Sequence, residues 1–291
     1  MNMHDVIIVG GGPAGLTAAL YAARAGRTTL LLEKMVAGGQ MALTDRIENY
    51  PGFPGGIGGP ELCMQMEGQA AKAGATIAYE NVLEIDCAGR RVRTAGGWRE
   101  ACRLVLALGA NAKRLDVPGE ERLIGRGVSF CATCDGALYR GKRVAVIGGG
   151  NSAVEEAIYL AGVGCEVLLV HRRDMLRAEA ALSKHALENP AITVAWNSQV
   201  TSFIGKDKLE GLILSGGREE PVEGAFVAVG RVPQTELVAG QLALDKHGFI
   251  VAGEDCLTNV PGVYAAGDVR AKTLRQVVTA VADGAVAVSM E

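Results

Sequence analysis

Asp5-Val-Ile-Ile-Val9 runs straight into Gly10-Gly-Gly-Pro-Ala-Gly15, and Arg143-Val-Ala-Val-Ile147 runs straight into Gly148-Gly-Gly-Asn-Ser-Ala153. Each apolar run has the length of a strand buried on both faces. Residues 16–24 and 154–160 then read as helices. Thr28-Thr-Leu-Leu-Leu32, ending in Glu33, and Glu166-Val-Leu-Leu-Val170 read as the following strands. The glycine spacing is G-x-G-x-x-G in the first copy and G-x-G-x-x-A in the second. In such a turn the first glycine permits the bend, the second lets the backbone approach a pyrophosphate, and the third small residue lets helix pack on strand. The helix N-terminus adds free N–H groups and a positive dipole end. One glycine-rich turn is weak evidence, since many strands and helices that bind nothing are joined this way. Two copies, each between strand and helix, predict two dinucleotide sites in an α/β protein of two Rossmann-like modules.

The bulk composition agrees with that size of architecture. A chain of 291 residues suits two domains, and 49% apolar with 21% charged residues suits a soluble protein with large cores. The net charge of -3 comes without any lysine or arginine strip, which argues against a nucleic-acid partner. Residues 6–23 are largely apolar, but no basic segment precedes them and His4 and Asp5 flank them directly. Gly10 to Pro13 would also break a membrane helix, so neither a signal peptide nor a membrane partner is expected. Seven cysteines are an odd, scattered set, unlike a secreted disulfide framework, and point to the cytoplasm.

The residue ending the second strand of each copy distinguishes the two dinucleotides. Glu33 offers a carboxylate to ribose hydroxyls. The second copy ends instead in His171-Arg172-Arg173, with Arg177 beyond, and guanidiniums clamp a 2′-phosphate that a carboxylate would repel. The second site is therefore expected to take NADPH. FAD is the candidate for the first, because Gly262-Val-Tyr-Ala-Ala-Gly267-Asp268 is a short strand whose terminal carboxylate suits ribityl hydroxyls. A helix beginning near Arg275-Gln276-Val277 would aim N–H groups at the pyrimidine edge of a flavin.

Cys131-Ala-Thr-Cys134, followed by Asp135, precedes the second nucleotide-binding strand. Such a pair closes a small disulfide, supplies half a zinc site, or is buried by chance. Zinc needs about four ligands. Cys63, Cys87, Cys102, Cys165 and Cys256 offer no second close pair and only four histidines occur, so no metal is expected and those five read as packing residues. A redox-active dithiol beside two nucleotide sites makes chemical sense, with Asp135 placed to move a proton to or from a thiolate.

Cys131-Ala-Thr-Cys-Asp-Gly136, Gly148-Gly-Gly-Asn-Ser-Ala-Val-Glu-Glu156, His171-Arg-Arg-Asp-Met-Leu-Arg177 and Gly262 to Asp268 with Arg275-Gln276 together resemble the low-molecular-weight thioredoxin reductases of bacteria. Gly38-Gly-Gln-Met41 and Glu48-Asn-Tyr-Pro-Gly52 also fit that family's flavin-contacting loop. The resemblance extends from Met3 to the last helix. It implies FAD contacts from Gly10, Gly12, Pro13, Ala14, Gly15, Glu33, Lys34, Gly39, Gln40, Met41, Asn49, Asp268, Arg275, Gln276 and Val277. It implies NADPH contacts from Gly148, Gly150, Asn151, Ser152, Ala153, His171, Arg172, Arg173 and Arg177. By the same resemblance Cys134 faces the flavin, Cys131 attacks the substrate disulfide and Asp135 is the acid. Thioredoxin or a thioredoxin-like protein is the implied partner, and a homodimer the implied assembly. Leu108 departs from the family, which usually has a small or hydroxylated residue there.

The motif order implies a discontinuous layout: an FAD module at 1–112 and 241–291, with an NADPH module carrying the cysteines inserted at 113–240. Linkers are expected near 111–118 and 234–240, and the resemblance implies that the modules swivel about them. Residues 192–196 and 209–214 are expected to add an antiparallel piece. No dimerisation domain of the larger glutathione-reductase type is expected after the last helix. Three other readings compete. A flavin dithiol oxidase would not need the arginine cluster, a ferredoxin reductase would not need the cysteines, and a nucleotide sensor would need neither.

Overall fold

The computed structural model describes residues 3–44 and 46–289. Positions 1, 2, 45, 290 and 291, which fall within the expected spans 1–112 and 241–291, lie outside the described residues. The chain divides into two compact units, Met1–Asn111 with Val232–Glu291, and Ala112–Arg231.

The first unit opens with β1 (His4–Val9), α1 (Pro13–Arg24) and β2 (Thr29–Glu33), with the two strands parallel and Val6 opposite Thr29. Helix α1 begins three residues ahead of the apolar pattern, because Pro13 has its φ preset for the first turn and no N–H to leave unpaired. Helix α2 (Gly59–Lys72) returns the chain to β3 (Thr76–Tyr79), parallel to β2. An antiparallel meander follows: β4 (Glu84–Asp86), β5 (Arg91–Thr94) and β6 (Gly97–Leu106). The first part of β6 pairs with β5, while residues 101–106 run parallel to β1. The short β7 (Ala110–Ala112) then leads out of the unit.

The second unit holds α3 (Glu120–Leu123), β8 (Val128–Ser129), α4 (Ala132–Asp135), β9 (Arg143–Ile147), α5 (Asn151–Gly162) and β10 (Glu166–Val170). It continues through α6 (Ala180–Leu187), β11 (Ile192–Ala195), β12 (Val200–Ile204), β13 (Gly211–Leu214), β14 (Glu219–Pro221) and β15 (Gly224–Val227). Five strands form a parallel sheet in the order β11-β10-β9-β15-β8, and β12-β13-β14 form a separate antiparallel one. The expected antiparallel role of residues 192–196 is therefore corrected. Helix α6 carries the chain over the sheet, so β11 returns parallel to β10, with Val167 opposite Ile192. Residues 209–214 do contribute an antiparallel strand, β13.

The chain leaves this unit through β16 (Arg231–Pro233). The return falls at Arg231–Val232 rather than after residue 240. Val238 and Leu242 lie in a core cluster with Ile7, Leu104 and Ile250 of the first unit, so this segment is packed structure and not a linker. Strand β17 (Val263–Ala265) joins the first sheet beside β6, and α7 (Val277–Ser289) packs on α1. Both central sheets are buried on two faces. Along β1, Val6 and Ile8 enter one cluster while Ile7 and Val9 enter the other. Along β9, Ala145 and Ile147 face one cluster while Val144 and Val146 face its opposite. This is why both strands read as unbroken apolar runs. Among the described residues no helix is long and apolar enough to cross a membrane.

Candidate functional site

In the first unit Gly10, at φ 106°, ends β1 in a conformation that side-chain-bearing residues avoid. A methyl group on Gly15 would sit 1.8 Å from the Gly10 carbonyl oxygen, so α1 meets the end of β1 only because hydrogen is there. A methyl group on Gly12 would meet nothing within 4 Å. The middle of the turn thus faces open space at the start of a 12-residue helix, an arrangement that fits a pyrophosphate. Pro13 is the first residue of α1, and Ala14 is buried behind it. Glu33 Oε2 accepts the Gly11 N–H and Oε1 the Lys34 N–H, each at 2.8 Å. A carboxylate oxygen has capacity for more than one donor, so ribose hydroxyls remain within its means. Lys34 itself is exposed.

The other residues expected around this nucleotide belong to the same unit. The Gly38 N–H donates to the Gly11 carbonyl at 2.7 Å, docking the turn Gly39–Leu43 on the glycine loop, with Met41 buried. Gln40 Nε2 donates to Asn111 Oδ1 at 3.1 Å, and Asn49 Nδ2 to Gln276 Oε1 at 3.0 Å, just before α7 starts at Val277. Asp268 sits in a single turn, Gly267–Val269, directly after β17. Arg275 is braced by the Lys272 and Arg270 carbonyls at 3.0 and 3.2 Å, its guanidinium 4.1 Å from the Phe249 ring centroid. Leu108 packs beside the cluster around Ile7 and Leu104. Underneath lies a buried group that the sequence reading did not single out. Asp283 accepts the Gly267 N–H at 2.9 Å, Arg270 Nη2 at 2.7 Å and Lys272 Nζ at 2.7 Å. Burial opposes its ionisation, but the two cations outweigh that and hold its pKa below the ordinary value. Its only sequence signal was a lone acid in an otherwise apolar helix.

The second unit repeats the glycine turn with Asn151, Ser152 and Ala153 in place of Pro13, Ala14 and Gly15. Gly150, like Gly12, faces open space, while the third position carries the methyl of Ala153. Ser152 is exposed in the first turn of α5, and Asn151 holds the Glu179 N–H on its Oδ1 at 2.9 Å. His171 is buried and its ring lies on the turn, where a methyl on Gly149 would come within 2.2 Å of Nδ1. Burial depresses the His171 pKa, and Nε2 has no hydrogen-bond partner among the described residues. The Arg177 N–H donates to the Gly149 carbonyl at 2.7 Å, drawing the basic segment onto the turn. Arg172, Arg173 and Arg177 all keep exposed side chains. An open glycine turn, an orphaned buried imidazole nitrogen and three exposed guanidiniums form a donor set that fits a phosphorylated dinucleotide.

The cysteine pair sits in this same unit. Cys131 and Cys134 form a disulfide with Cα atoms 5.3 Å apart, and the short α4 turns Asp135 back so that its N–H donates to the Cys131 carbonyl at 3.2 Å. Gly136 lies against Leu160 and Tyr159 of α5, which seats the cysteine turn on the helix that follows the second glycine turn. Asp135 Oδ2 accepts the Ser129 hydroxyl at 2.6 Å. Burial raises the Asp135 pKa and the Ser129 hydrogen bond opposes the rise. Ser129 was missed by the sequence reading, since a serine at the end of a two-residue strand has no periodicity to mark it. Of the remaining cysteines, Cys63, Cys87, Cys165 and Cys256 are buried. Burial pushes the thiols of Cys63, Cys87 and Cys256 up to about 11, which makes them inert packing groups. Cys102 is the correction: it is exposed, because alternation along β6 turns it outward next to buried Ala101.

Residues 4–284 match the family described as pyridine nucleotide-disulphide oxidoreductase. The chain is 45% identical to a thioredoxin reductase of Listeria innocua, covering 98% of this chain and 92% of that one. It is 44% identical to a thioredoxin reductase of Treponema pallidum, covering 98% and 94%. Among solved structures, the thioredoxin reductase of Streptococcus pyogenes superposes with a TM-score of 0.91 at 42% identity, covering 98% of this chain and 95% of that one.

Proposed function

This chain belongs to the pyridine nucleotide-disulphide oxidoreductase family, among its thioredoxin reductases, and we propose that it uses NADPH to reduce the disulfide of thioredoxin or a thioredoxin-like protein. The observation that carries the reading is the Cys131–Cys134 disulfide, held on α5 beside a half-buried carboxyl in the unit that also bears the second glycine turn. In this proposal FAD occupies the first unit, with Gly10 to Gly15 on its pyrophosphate, Glu33 on its ribose, and Asp268 and the start of α7 at its flavin end. NADPH occupies the second, with Gly148 to Ala153 on the pyrophosphate and Arg172, Arg173 and Arg177 on the 2′-phosphate. The flavin, when bound, supplies two-electron chemistry: hydride uptake from NADPH and delivery of an electron pair to the disulfide.

The remaining steps belong to the chain's own residues. Two electrons open the Cys131–Cys134 bond. Cys131 thiolate then attacks one sulfur of the partner's disulfide, forming a mixed disulfide while the partner's other sulfur leaves and takes a proton from Asp135. Cys134 thiolate attacks the Cys131 sulfur, remaking the intramolecular bond and releasing the partner's second sulfur as a thiolate; that thiolate and Asp135 then each take a proton from solvent. The proposed setting is a homodimer in the cytoplasm, for which light scattering of the purified protein checks the assembly. The activity is tested anaerobically. NADPH is expected to bleach the flavin, and oxidised thioredoxin to restore its colour. In Cys134→Ser the bleaching persists while thioredoxin reduction is lost, and reductase turnover near wild type in that variant overturns the proposal.

A further inference from the structure

We infer that Ser129 is a positioning residue for the disulfide chemistry, its hydroxyl linking the backbone of Cys131 to the carboxylate of Asp135 so that one carboxylate oxygen is fixed and the other is left to carry the proton. The inference rests on the proposed role of Asp135 as the proton donor.

Three distances carry it. The Ser129 hydroxyl has a single proton and two oxygen acceptors in reach, Asp135 Oδ2 at 2.6 Å and the Cys131 carbonyl at 3.5 Å. The shorter contact, to the group that becomes charged, takes the proton. The Ser129 oxygen then accepts the Cys131 N–H at 3.1 Å. That N–H needs a partner, because Cys131 is extended at φ -150° and ψ 100° ahead of α4 and cannot enter a helical bond. The chain Cys131 N–H to Ser129 to Asp135 is polarised in one direction, and each bond strengthens the next. Ser129 is itself immobilised: it is 8% exposed and sits in β8 opposite Phe226 of β15. The attacking cysteine and the proton donor are thus registered to the central sheet through one hydroxyl.

The electrostatic effect has the same sense. Burial disfavours the charged form of Asp135, and the Ser129 hydrogen bond favours it. Removing the hydroxyl withdraws the favourable part and leaves Oδ2 of a half-buried carboxyl without that donor, so Asp135 holds its proton to higher pH and gives it up less readily. Ser129→Thr keeps the hydroxyl.

The test is the pH dependence of thioredoxin turnover by the FAD-loaded enzyme, with Asp135→Asn, Ser129→Ala and Ser129→Thr beside wild type. NADPH bleaching of the flavin reports that each variant is folded and loaded. Ser129→Ala is expected to displace the Asp135-dependent limb to higher pH and to slow turnover at neutral pH roughly tenfold, less than the 10²–10⁴-fold typical of losing an acid–base group altogether. Ser129→Thr is expected to restore the wild-type profile. A merely structural serine would lower the rate without moving the limb, and a limb unmoved in Ser129→Ala overturns the inference. If Ser129→Ala does not fold, Ser129→Cys, a weaker donor of similar size, reads the same limb, and a wild-type position there also overturns it. Failure of the functional reading is distinguishable, because wild type would then not turn over thioredoxin at all. A profile unaltered by Asp135→Asn removes the assigned role of Asp135 and the inference with it.

Discussion

The last position of the two glycine turns, Gly15 in one and Ala153 in the other, shows how tightly single residues are specified here. A methyl on Gly15 would stand 1.8 Å from the Gly10 oxygen, where Ala153 carries its methyl in the other turn. Gly15→Ala is therefore expected to lose about 1–3 kcal/mol to overpacking and to fall in flavin content. Ala153→Gly should cost only about 1 kcal/mol, the helix propensity difference, with nucleotide binding retained. Urea unfolding and the flavin-to-protein absorbance ratio measure both, and a fully loaded, equally stable Gly15→Ala would contradict the geometry. The exposed arginines make a separate prediction. Charge-assisted hydrogen bonds contribute about 1.5–3 kcal/mol each, and exposure places these at the lower end. Replacing Arg172 and Arg173 together with alanine should weaken NADPH by at least about 100-fold while changing NADH little. Equal losses in KM for the two coenzymes would show that the arginines serve another purpose.

At the scale of elements, α7 depends on one carboxylate. Asp283 is 5% exposed and ties the helix to the Gly267 N–H, to Arg270 and to Lys272, so it fixes both ends of the segment that carries Asp268 and Arg275. Breaking a buried ion pair by removing one partner leaves the other charge uncompensated, which typically costs about 3–5 kcal/mol. Asp283→Asn is expected to lose about that much in denaturant unfolding. The pH dependence has a definite sign. The folded carboxyl is held below its ordinary 3.8, so its stabilisation is present above that pH and drains away as pH falls through the lower folded value. Wild type should accordingly lose stability in that acid range, and Asp283→Asn should lack that component. Parallel acid profiles for the two proteins would remove Asp283 from this role.

At the scale of the whole molecule, the second unit is continuous in sequence and has its own cores on both faces of its sheet. Its two chain ends are held side by side, with the Lys113 N–H donating to the Gly230 carbonyl at 2.9 Å. A fragment of residues 112–231 is therefore expected to fold alone, unfold in one cooperative transition, form the Cys131–Cys134 disulfide and bind NADPH without flavin colour. Calorimetry and circular dichroism check this, and an unstructured fragment would show that the unit's stability is borrowed from elsewhere. The first unit has no such option, since its sheet needs β17 and its core needs Val238 and Leu242 from beyond the insertion.

Both βαβ motifs, the cysteine pair and the arginine segment were legible from the sequence, because the constraint acts within a few residues. A glycine is required where a Cβ would fall under 2 Å from a neighbouring backbone atom, as Gly15 shows, and an apolar run is required where both faces of a strand are covered. Residues 192–195 could not be oriented that way, since parallel and antiparallel strands of four residues carry the same pattern and only the path over α6 decides between them. The return at Arg231–Val232 was equally hidden, because a segment rich in turns reads as a linker until Val238 finds its cluster. The polar partnerships were the least legible. Ser129 reaches Asp135 across a bend, and Asp283 meets Arg270 and Lys272 only after α7 has folded back over them. By itself the sequence determined which local chemistry each motif can perform; the tertiary structure decided which side chains hold that chemistry in place, because a hydrogen bond or a buried ion pair forms between groups brought together in space, whatever their separation along the chain.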